Sequence, residues 1–553
     1  MPGRIRSPGY RLCMAVGLVL SLAVLAPIAA VLWRLAGTEE LFATIGRIMG
    51  GAPFQTALGR TVIIGVLAAG GSTILAAGLA WLTYRTDLPF RRMISAMVFV
   101  PFFIPLVVTA LAWSLLSAES SGLINQLLRA IGIPILLNVY SVPGIIFVLA
   151  IGLMPVAYFF LRDAFAEPAT EQEEAALVSG ATPLTITALI TLPRILPTIG
   201  ATYLVILVLA AANFSVPGVL GLSRRIDVLS TQIYVAMHSY PVSYPRVATV
   251  ALTLVVLLVG LLVLQQRLES RARVSSQTAN RGEPIIWQLG AWRWPCFVVV
   301  AMFFVITLVL PLGAIFLTAL LPFPGAPLEG FSLKNFERVF DSTVFQISIY
   351  NTLLFSFVGA TIAVTVGTLA AYVFRRLRPP GAALWDVISS APIALPGIVI
   401  GLGYLWIAVG GSFYGTLALT TLVVAVRFIP FALRSGTAAL TRIDPSLDEA
   451  GRISGAGEGS VFGRIVLPNL RASIFSMWLL LFVLFTHEVD TNVLLQGTDN
   501  AVLSVQIYGW YEYGGLDLAA AGSVILLLMT AAIFFPTTVL VIWRKSLRSK
   551  RLA

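Results

Sequence analysis

The sequence predicts an all-α integral membrane protein with twelve transmembrane helices, arranged as two parallel six-helix repeats. Two observations predict the membrane class: 58% of the 553 residues are hydrophobic and only 11% are charged. Soluble globular domains have a charged fraction nearer a quarter, so a soluble enzyme is excluded. The third observation is that motifs of the first half of the chain recur in the second half at a nearly constant distance.

Twelve largely apolar segments, most of them long enough as helices to cross about 30 Å of hydrocarbon, give the number of spans. The first six segments are 12–33, 61–82, 94–116, 141–161, 196–222 and 247–264. The second six are 296–321, 349–374, 387–409, 417–433, 473–486 with a polar continuation, and 519–543. Because each half contains an even number of spans, both halves enter the membrane in the same orientation.

The chain divides into a first half (1–264), a polar cytoplasmic linker (265–293) and a second half (294–553). Lys and Arg concentrate in segments that are cytoplasmic when both termini lie inside, which fits the positive-inside tendency. The net charge of +11 is therefore a topology signal and requires no nucleic-acid partner. The first apolar run is too long for a signal peptide, so we expect a retained helix. The two cysteines, Cys13 and Cys296, indicate no disulfide framework.

Internal similarity shows that the two halves are copies of one unit. The segment VLSTQIY, 228–234, recurs as VLSVQIY, 502–508, with six identities in seven positions. Prolines within the spans are mirrored too: Pro101 and Pro105 by Pro392 and Pro396, and Pro155 by Pro430. We therefore expect both halves to bend at the same places. The first span of each half lacks such a counterpart, so the shared unit is five helices plus one variable helix.

A motif between the fourth and fifth spans recurs between the tenth and eleventh. The first copy is Glu174-Ala175-Ala176, three residues, Gly180, nine residues, then Ile190-Thr191-Leu192-Pro193. The second copy is Glu449-Ala450-Gly451, three residues, Gly455, nine residues, then Ile465-Val466-Leu467-Pro468. Each copy predicts a short cytoplasmic helix, 171–179 or 447–454, ended by a glycine that suits a left-handed cap. Small residues let another surface approach closely, and the glutamates offer charged acceptors.

The pattern E-A-A-x3-G-x9-I-x-L-P resembles the cytoplasmic signature of permease subunits of ATP-binding-cassette importers of the type-I architecture. The resemblance implies that each short helix is a coupling helix seated in a groove of an ATPase. Closure of the ATPase dimer would then rock the two halves between inward-facing and outward-facing states. The fused two-half form, with the stretch 214–221, resembles ferric-iron importer permeases. Thiamine importers share the fused form, and polyamine, sulfate and phosphonate systems use related halves.

No G-x-x-x-x-G-K-[ST] phosphate loop occurs, so we expect a transport subunit that is not itself an ATPase and binds no cofactor. The resemblance implies two nucleotide-binding ATPase subunits that hold ATP and Mg, and a periplasmic or lipid-anchored substrate-binding protein. The expected location is the lipid of a bacterial inner membrane. A secondary transporter driven by an ion gradient is the rival of another class, since it also uses parallel repeats and buried acids. Two matched loop helices argue against it.

Six residues are candidates for the substrate pathway: Asn213, Ser215, Arg427, His487, Glu488 and Asp490. Asn213 and Ser215 stand at positions equivalent to Glu488 and Asp490, toward the outer part of the eleventh span. Ionised side chains that face lipid cost several kcal/mol, which favours a cavity. Two carboxylates suit a cation, but their spacing assigns no metal site. The alternatives are solvated acids in the headgroup region and, for Arg427, snorkelling or pairing with a neighbouring helix.

Overall fold

The computed structural model describes the backbone of residues 8–552 except 39, 135, 168–170, 276–284, 324–329 and 498. Side-chain surroundings are described for 14–268 and 285–534 outside those gaps. In these parts of the chain the protein consists of helices and connecting loops, without a β-strand.

The first half begins with a long helix and ends with another that reaches beyond the predicted span. Its helices are α1 (Pro8–Ala36), α2 (Leu41–Gly50), α3 (Ala52–Arg85), α4 (Arg91–Phe103), α5 (Leu106–Ser117), α6 (Leu123–Ala130), α7 (Val142–Phe165), α8 (Glu171–Val178), α9 (Pro183–Ala212), α10 (Ser215–Gly221), α11 (Leu229–His238) and α12 (Tyr244–Ser275).

The second half repeats this order except for α6 and α10. Its helices are α13 (Gly290–Leu320), α14 (Lys334–Asp341), α15 (Thr343–Leu377), α16 (Ala382–Ile393), α17 (Gly397–Ala408), α18 (Leu417–Leu440), α19 (Pro445–Ile453), α20 (Glu458–Thr486), α21 (Leu503–Glu512) and α22 (Leu516–Leu552). A short 3-10 turn, Asn492–Leu494, stands where the first half has α10.

The described residues contain ten helices long and apolar enough to cross a membrane, and two bent helix pairs complete the twelve predicted spans. The pairs are α4 with α5, bent by 94°, and α16 with α17, bent by 104°. Pro105 and Pro396 stand immediately before the second helix of each pair. Proline disfavours helical geometry in the residue before it, so each span breaks there and a new helix starts. The expected matching bends are therefore present at Pro105 and Pro396, whereas Pro155 and Pro430 lie inside continuous helices.

The predicted ends of the fifth and eleventh spans are wrong. The fifth was expected at 196–222, but α9 ends at Ala212 and 215–221 form the separate helix α10. The chain leaves the helix because Asn213 adopts an extended conformation, and its side-chain oxygen accepts the N–H of Val216 at 2.9 Å, which caps α10. The eleventh span was expected from residue 473, but α20 already begins at Glu458.

One insertion explains why the repeat distance changes along the chain. Pro101 and Pro392 are 291 positions apart, whereas Pro155 and Pro430 are 275 apart. The difference arises between the third and fourth spans, where residues 118–141 with α6 connect α5 to α7. In the second half residues 409–416 alone make the same connection. The two halves therefore align without gaps before this loop and, after it, as far as Ser215 and Asp490; the VLSTQIY repeat that follows is one position closer, at 274.

The variable first helix of each half packs across the other half. α1 lies against α16 and α17, and α13 lies against α5. The contact of α1 with α17 is close, since a Cβ added to Gly403 would stand 2.4 Å from the carbonyl oxygen of Pro27. This exchange joins the two halves along their outer faces.

The predicted linker, 265–293, starts as a helix, because α12 continues to Ser275. Its central residues, 276–284, lie outside the described part. Its last part returns to the first half, where the N–H of Trp287 donates to the carbonyl oxygen of Arg85 at 2.8 Å. The N–H of Asp87 in turn donates to the carbonyl oxygen of Trp287 at 3.0 Å. The linker is thus attached at the end of α3.

Candidate functional site

The two loop helices, α8 and α19, expose the faces that carry the repeated motif. Because an even number of spans separates them, both lie at the same end of the bundle, which we call the loop end. Glu174 and Ala175 are exposed on α8, as are Glu449 and Ala450 on α19, while Ala176 and Gly451 are half-buried. The last residues of the helices are strongly exposed, Val178 by 89% and Ile453 by 87%. Each helix therefore offers a small, accessible face that combines apolar and acidic groups.

Both loop helices end in the same glycine cap. Gly180 and Gly455 have φ values of +80° and +84°, which only glycine adopts without strain. The N–H of Ala181 donates to the carbonyl oxygen of Ala176 at 3.0 Å, and Ala456 repeats this bond in the second half. The motif glycines were thus correctly predicted as left-handed caps.

α19 has an additional polar cap at its start. The Asp444 carboxylate accepts the backbone N–H of Ser446 at 2.9 Å. This hydrogen bond favours the ionised carboxylate and lowers the pKa of Asp444 below its ordinary value. A negative charge at this position also suits the positive end of the helix dipole.

The Leu-Pro pair of each motif follows a widened helical turn. Thr187–Thr191 form a π turn directly before Leu192 and Pro193 in α9, and Phe462–Val466 form one before the equivalent pair in α20. Proline lacks a backbone N–H and its ring crowds the preceding turn, and a wider turn accommodates both effects. The motif therefore fixes how the chain leaves the loop helix and enters the next span.

The loop helices are held in place by residues outside the motif that were not predicted from the sequence. Arg85 forms a buried ion pair with Glu173 at 3.4 Å, and Arg376 forms one with Asp448 at 3.5 Å. Glu173 and Asp448 each precede the motif glutamate by one position, and each arginine lies at the loop end of the second span of its half. An acid repeated at one motif position, with an arginine repeated at the end of one span, was the available signal.

A second polar cluster lies halfway along the bundle. Arg427 stands near the middle of α18, and its guanidinium pairs with the Glu488 carboxylate. It also donates to the hydroxyl of Thr491 at 2.9 Å. Glu488 is 7% exposed. Of the alternatives for Arg427, the structure shows pairing with a neighbouring segment, and Glu488 is not a solvated headgroup acid.

The position expected for the acids, the outer part of the eleventh span, is wrong. α20 ends at Thr486, so His487, Glu488 and Asp490 follow the span at the level of Arg427. The reason is that the helix stops at Thr486, where the next residues meet Arg427 in the middle of α18. The chain then continues through the 3-10 turn and α21 instead of leaving the membrane.

The first half has a neutral equivalent of this charged cluster. Asn213 stands where the second half has Glu488, and Gly152 where it has Arg427. A Cβ at Gly152 would lie 2.5 Å from the side chain of Leu106. Leu106 corresponds to Gly397, where an added Cβ would collide with the guanidinium of Arg427. The arginine thus occupies the space that a leucine fills in the first half.

Asp490 connects the two halves directly. Its carboxylate accepts the Ser215 hydroxyl at 2.6 Å and the Ser215 backbone N–H at 3.2 Å. The N–H of Phe214 approaches the other carboxylate oxygen at 3.4 Å. Ser215 and Asp490 are equivalent positions of the two repeats, so this contact lies where the repeats meet face to face. A carboxylate at the start of α10 also suits the helix dipole.

Further cross-half contacts surround this bond. The Tyr234 hydroxyl donates to the Glu512 carboxylate at 3.0 Å, and the Tyr511 hydroxyl donates to the carbonyl oxygen of Val219 at 2.7 Å. Nε2 of His487 has no hydrogen-bond partner among the described residues. No group of three or more His, Cys, Asp or Glu side chains in the described part is arranged to hold a metal ion. The centre of the molecule is therefore a polar interface between helices, built from two acids, one arginine and neutral polar groups.

The repeated segment VLS(T/V)QIY has a structural explanation at this site. It forms the starts of α11 and α21, where the N–H groups of Leu229 and Leu503 donate to threonine hydroxyls of α3 and α15. The hydroxyls of Ser230 and Ser504 donate to the carbonyl oxygens of Asn213 and Glu488 at 2.8 and 2.9 Å. The motif therefore holds the central cluster in place in both halves.

Comparison with known proteins places the chain among transport proteins. The family model of the binding-protein-dependent transport system inner membrane component matches residues 62–274 and again 363–549. The ferric transport system permease protein FbpB of Actinobacillus pleuropneumoniae is 25% identical over 468 residues, covering 83% of this chain and 67% of that protein. The probable ABC transporter permease protein y4fN of Sinorhizobium fredii is 26% identical over 532 residues, which cover 92% of this chain and 91% of that protein. The sulfate transport system permease protein CysT of Escherichia coli K12 is 27% identical over 197 residues, which cover 33% of this chain and 70% of that protein.

The two matched regions coincide with the two sets of shared helices, and both include the loop helix. The relatives are transport subunits rather than enzymes, and the matching family model describes the inner membrane component of binding-protein-dependent transport systems. This chain is a fused, two-copy member of the family of binding-protein-dependent ABC transporter inner-membrane permeases.

Proposed function

We propose that the chain is the transmembrane subunit of an importer driven by a separate ATPase. The observation that carries this proposal is the pair of exposed loop helices, α8 and α19, at matching positions of the two repeats. Two equivalent exposed helices suit two ATPase subunits, which would hold the ATP and Mg. In that arrangement the loop end faces the cytoplasm with both termini, and a periplasmic or lipid-anchored binding protein delivers the substrate at the opposite end.

The motif residues have separate roles in this proposal. Glu174 and Glu449 are exposed hydrogen-bond acceptors that bind the ATPases. The small residues beside them allow the ATPase surface to approach the helix backbone closely; they are Ala175, Ala176, Ala450 and Gly451. Gly180 and Gly455 end the helices so that the chain can turn back into the membrane. Force on a loop helix would then move the span that follows it.

Docking can be tested by neutralising both motif glutamates in one variant, Glu174→Gln with Glu449→Gln. We expect less ATPase to co-purify with the permease, while the amount of permease in the membrane stays unchanged. A matched control, Glu337→Gln with Asp341→Asn, removes two exposed acids from α14 at the opposite end and should retain the ATPase. Full ATPase binding and full uptake in the motif variant would contradict the docking role.

We propose a cationic cargo, ferric iron, for the pathway between the halves. The support is the set of oxygen atoms in the central cluster: Arg427 pairs with Glu488, while the Asp490 carboxyl group lies where the halves meet and binds Ser215. Asn213, Ser215 and His487 add neutral polar groups at the same level. Carboxyl and hydroxyl oxygens suit a cation such as Fe(III), which prefers hard oxygen ligands, better than sulfate or phosphonate. The ferric transport relatives agree with this choice.

Cells that carry the permease, its ATPase and the matching binding protein allow the cargo to be measured directly. We expect uptake of labelled ferric iron, and no uptake of labelled thiamine, polyamine or sulfate. Uptake of thiamine alone would replace iron as the cargo, and uptake of sulfate would contradict the cationic pathway. Uptake that persists without ATP but stops when the proton gradient is removed would instead favour a secondary transporter.

A further inference from the structure

The loop helices are attached to the membrane domain by buried acids. Of the eight residues of α8, all described, Glu173 is the one that is buried, at 0% exposure. Of the nine residues of α19, likewise all described, Asp448 is the one that is buried, at 2%. Short helices usually attach through apolar side chains, and a buried carboxylate is costly unless it is paired. The same unusual choice in both repeats indicates a role that burial of an apolar residue does not fill.

In the first half a single arginine joins the elements that meet around Glu173. Arg85, the last residue of α3, is 2% exposed and pairs with Glu173 at 3.4 Å. Its guanidinium also donates to the carbonyl oxygen of Phe165, at the end of α7, at 2.8 Å and to that of Glu167 at 3.2 Å. Glu173 accepts the hydroxyl of Thr191, in the π turn of α9, at 2.6 Å. Three spans and the loop helix are therefore connected through one buried ion pair.

The second half builds the same connection with different side chains. Arg376, in the last turn of α15, pairs with Asp448 at 3.5 Å. It donates to the carbonyl oxygens of Leu440, at the end of α18, and Ile443 at 3.1 and 2.5 Å. Val466 replaces the threonine of the first half, so Asp448 has no equivalent hydroxyl donor.

The second half adds another link outside the ion pair. Arg452 of α19 pairs with Glu458 at 2.9 Å, and Glu458 accepts the Tyr372 hydroxyl of α15 at 3.1 Å. The two halves thus share the buried arginine–acid pair and differ in the bonds around it.

We propose that Arg85 with Glu173, and Arg376 with Asp448, are positioning residues that make each loop helix move as one body with the spans of its half. The inference rests on the proposed function, since the ATPase supplies the movement. The pair resists both pulling and sliding of the helix, because an unpaired charge in this buried position is strongly unfavourable. An apolar contact of similar size would hold the helix but let it slip.

The consequence is that neutralising the acid uncouples ATP hydrolysis from transport. The permease, its ATPase and the binding protein are reconstituted in proteoliposomes, and the amount of cargo taken up per ATP hydrolysed is measured. For Glu173→Gln and for Asp448→Asn we expect this ratio to fall about fivefold or more, the scale of a typical coupling between two sites. The ATPase should still bind and still hydrolyse ATP, because the exposed faces of α8 and α19 are unchanged.

In the matched controls, each position receives the acidic residue that stands at the equivalent position of the other half. Glu173→Asp and Asp448→Glu keep the charge and should retain a ratio close to that of the unmodified protein. Asp517→Asn breaks a different ion pair, with Arg338 at 2.7 Å, at the end away from the loop helices, and should also retain it. Arg376→Met removes the partner of Asp448 and should reproduce the uncoupling of Asp448→Asn.

The outcomes separate this inference from the proposed function. Absence of ATP-dependent uptake in the unmodified complex would contradict the proposed function itself. With that uptake present, an unchanged ratio in Glu173→Gln and Asp448→Asn would overturn the inference. A parallel loss of ATPase binding and uptake would overturn it as well, as would failure of every neutralised variant to assemble, because the pairs would then serve docking or folding alone.

Discussion

Replacing Arg427 with Met is expected to destabilise the permease by about 3–5 kcal/mol, the usual cost of removing one partner from a buried ion pair. The structure supports a value in this range because Glu488 is 7% exposed and its charge is balanced by this arginine. The backbone N–H of Thr491, which donates to the Glu488 carboxylate at 2.8 Å, remains and offsets part of the loss. Glu488→Gln should be less harmful, since the amide keeps hydrogen bonds and Arg427 is 20% exposed.

The first half shows which neutral residues can take the place of the charged pair. Its neutral set, Leu106, Gly152 and Asn213, occupies the positions of Gly397, Arg427 and Glu488. The triple variant Gly397→Leu, Arg427→Gly and Glu488→Asn should therefore recover stability to within about 1.5 kcal/mol of the unmodified protein, the usual cost of a volume-conserving replacement. Each change made alone should destabilise, because each leaves a charge, a void or a clash.

The measurement is the free energy of unfolding from a denaturant titration in mixed micelles, with the thermal midpoint as a second readout. The four proteins compared are the unmodified chain, Arg427→Met, Glu488→Gln and the triple variant. A cost of less than about 1 kcal/mol for Arg427→Met, the size of an exposed ion pair, would contradict a buried pairing with Glu488. A triple variant no more stable than Arg427→Met would contradict the proposed equivalence of the two sets of residues.

Three further predictions concern contacts between and within the halves. Asp490→Asn replaces the carboxyl group that accepts the Ser215 hydroxyl and should raise the fraction of molecules with separated halves, detected as faster labelling of a cysteine introduced at the buried Val216; equal labelling rates would contradict a cross-half contact of this kind. Gly403→Ala should destabilise by about 1–3 kcal/mol because its Cβ would collide with the backbone of Pro27, and an unchanged thermal midpoint would exclude such close packing. Gly455→Ala should lower ATPase-coupled uptake by straining the cap of α19, whereas Gly455→Asn should retain more of it; the reverse order would show that the left-handed conformation is unimportant.

Much of the fold follows from the sequence because a membrane imposes simple rules on it. Apolar length predicts the twelve spans, and repeated prolines predict the bends at Pro105 and Pro396. The end of α9 was not predictable in this way, because residues after Asn213 stay apolar while the chain changes direction. The break depends on one side-chain cap, and hydropathy does not detect it.

The loop helices and the central cluster differ in how far the sequence reveals them. The motif spacing gives α8 and α19 directly, including the left-handed glycines. The partners of Glu173 and Asp448 lie far away in the sequence, at the ends of α3 and α15, so no local pattern identifies them. The pairing of Arg427 with Glu488 becomes predictable only when the repeats are aligned and both charges are seen to replace neutral residues together.

The most direct test of the account is whether a partner ATPase covers both loop helices from one side of the membrane. Single cysteines at Val178 and Ile453, in a chain whose Cys13 and Cys296 are changed to serine, can be labelled with a membrane-impermeant maleimide. We predict that both positions react from the same side in the isolated permease and are protected when the ATPase binds, while a cysteine at Leu127 on α6 reacts from the opposite side and is never protected. Labelling of Val178 and Ile453 from opposite sides, or without protection at either position, would contradict the account.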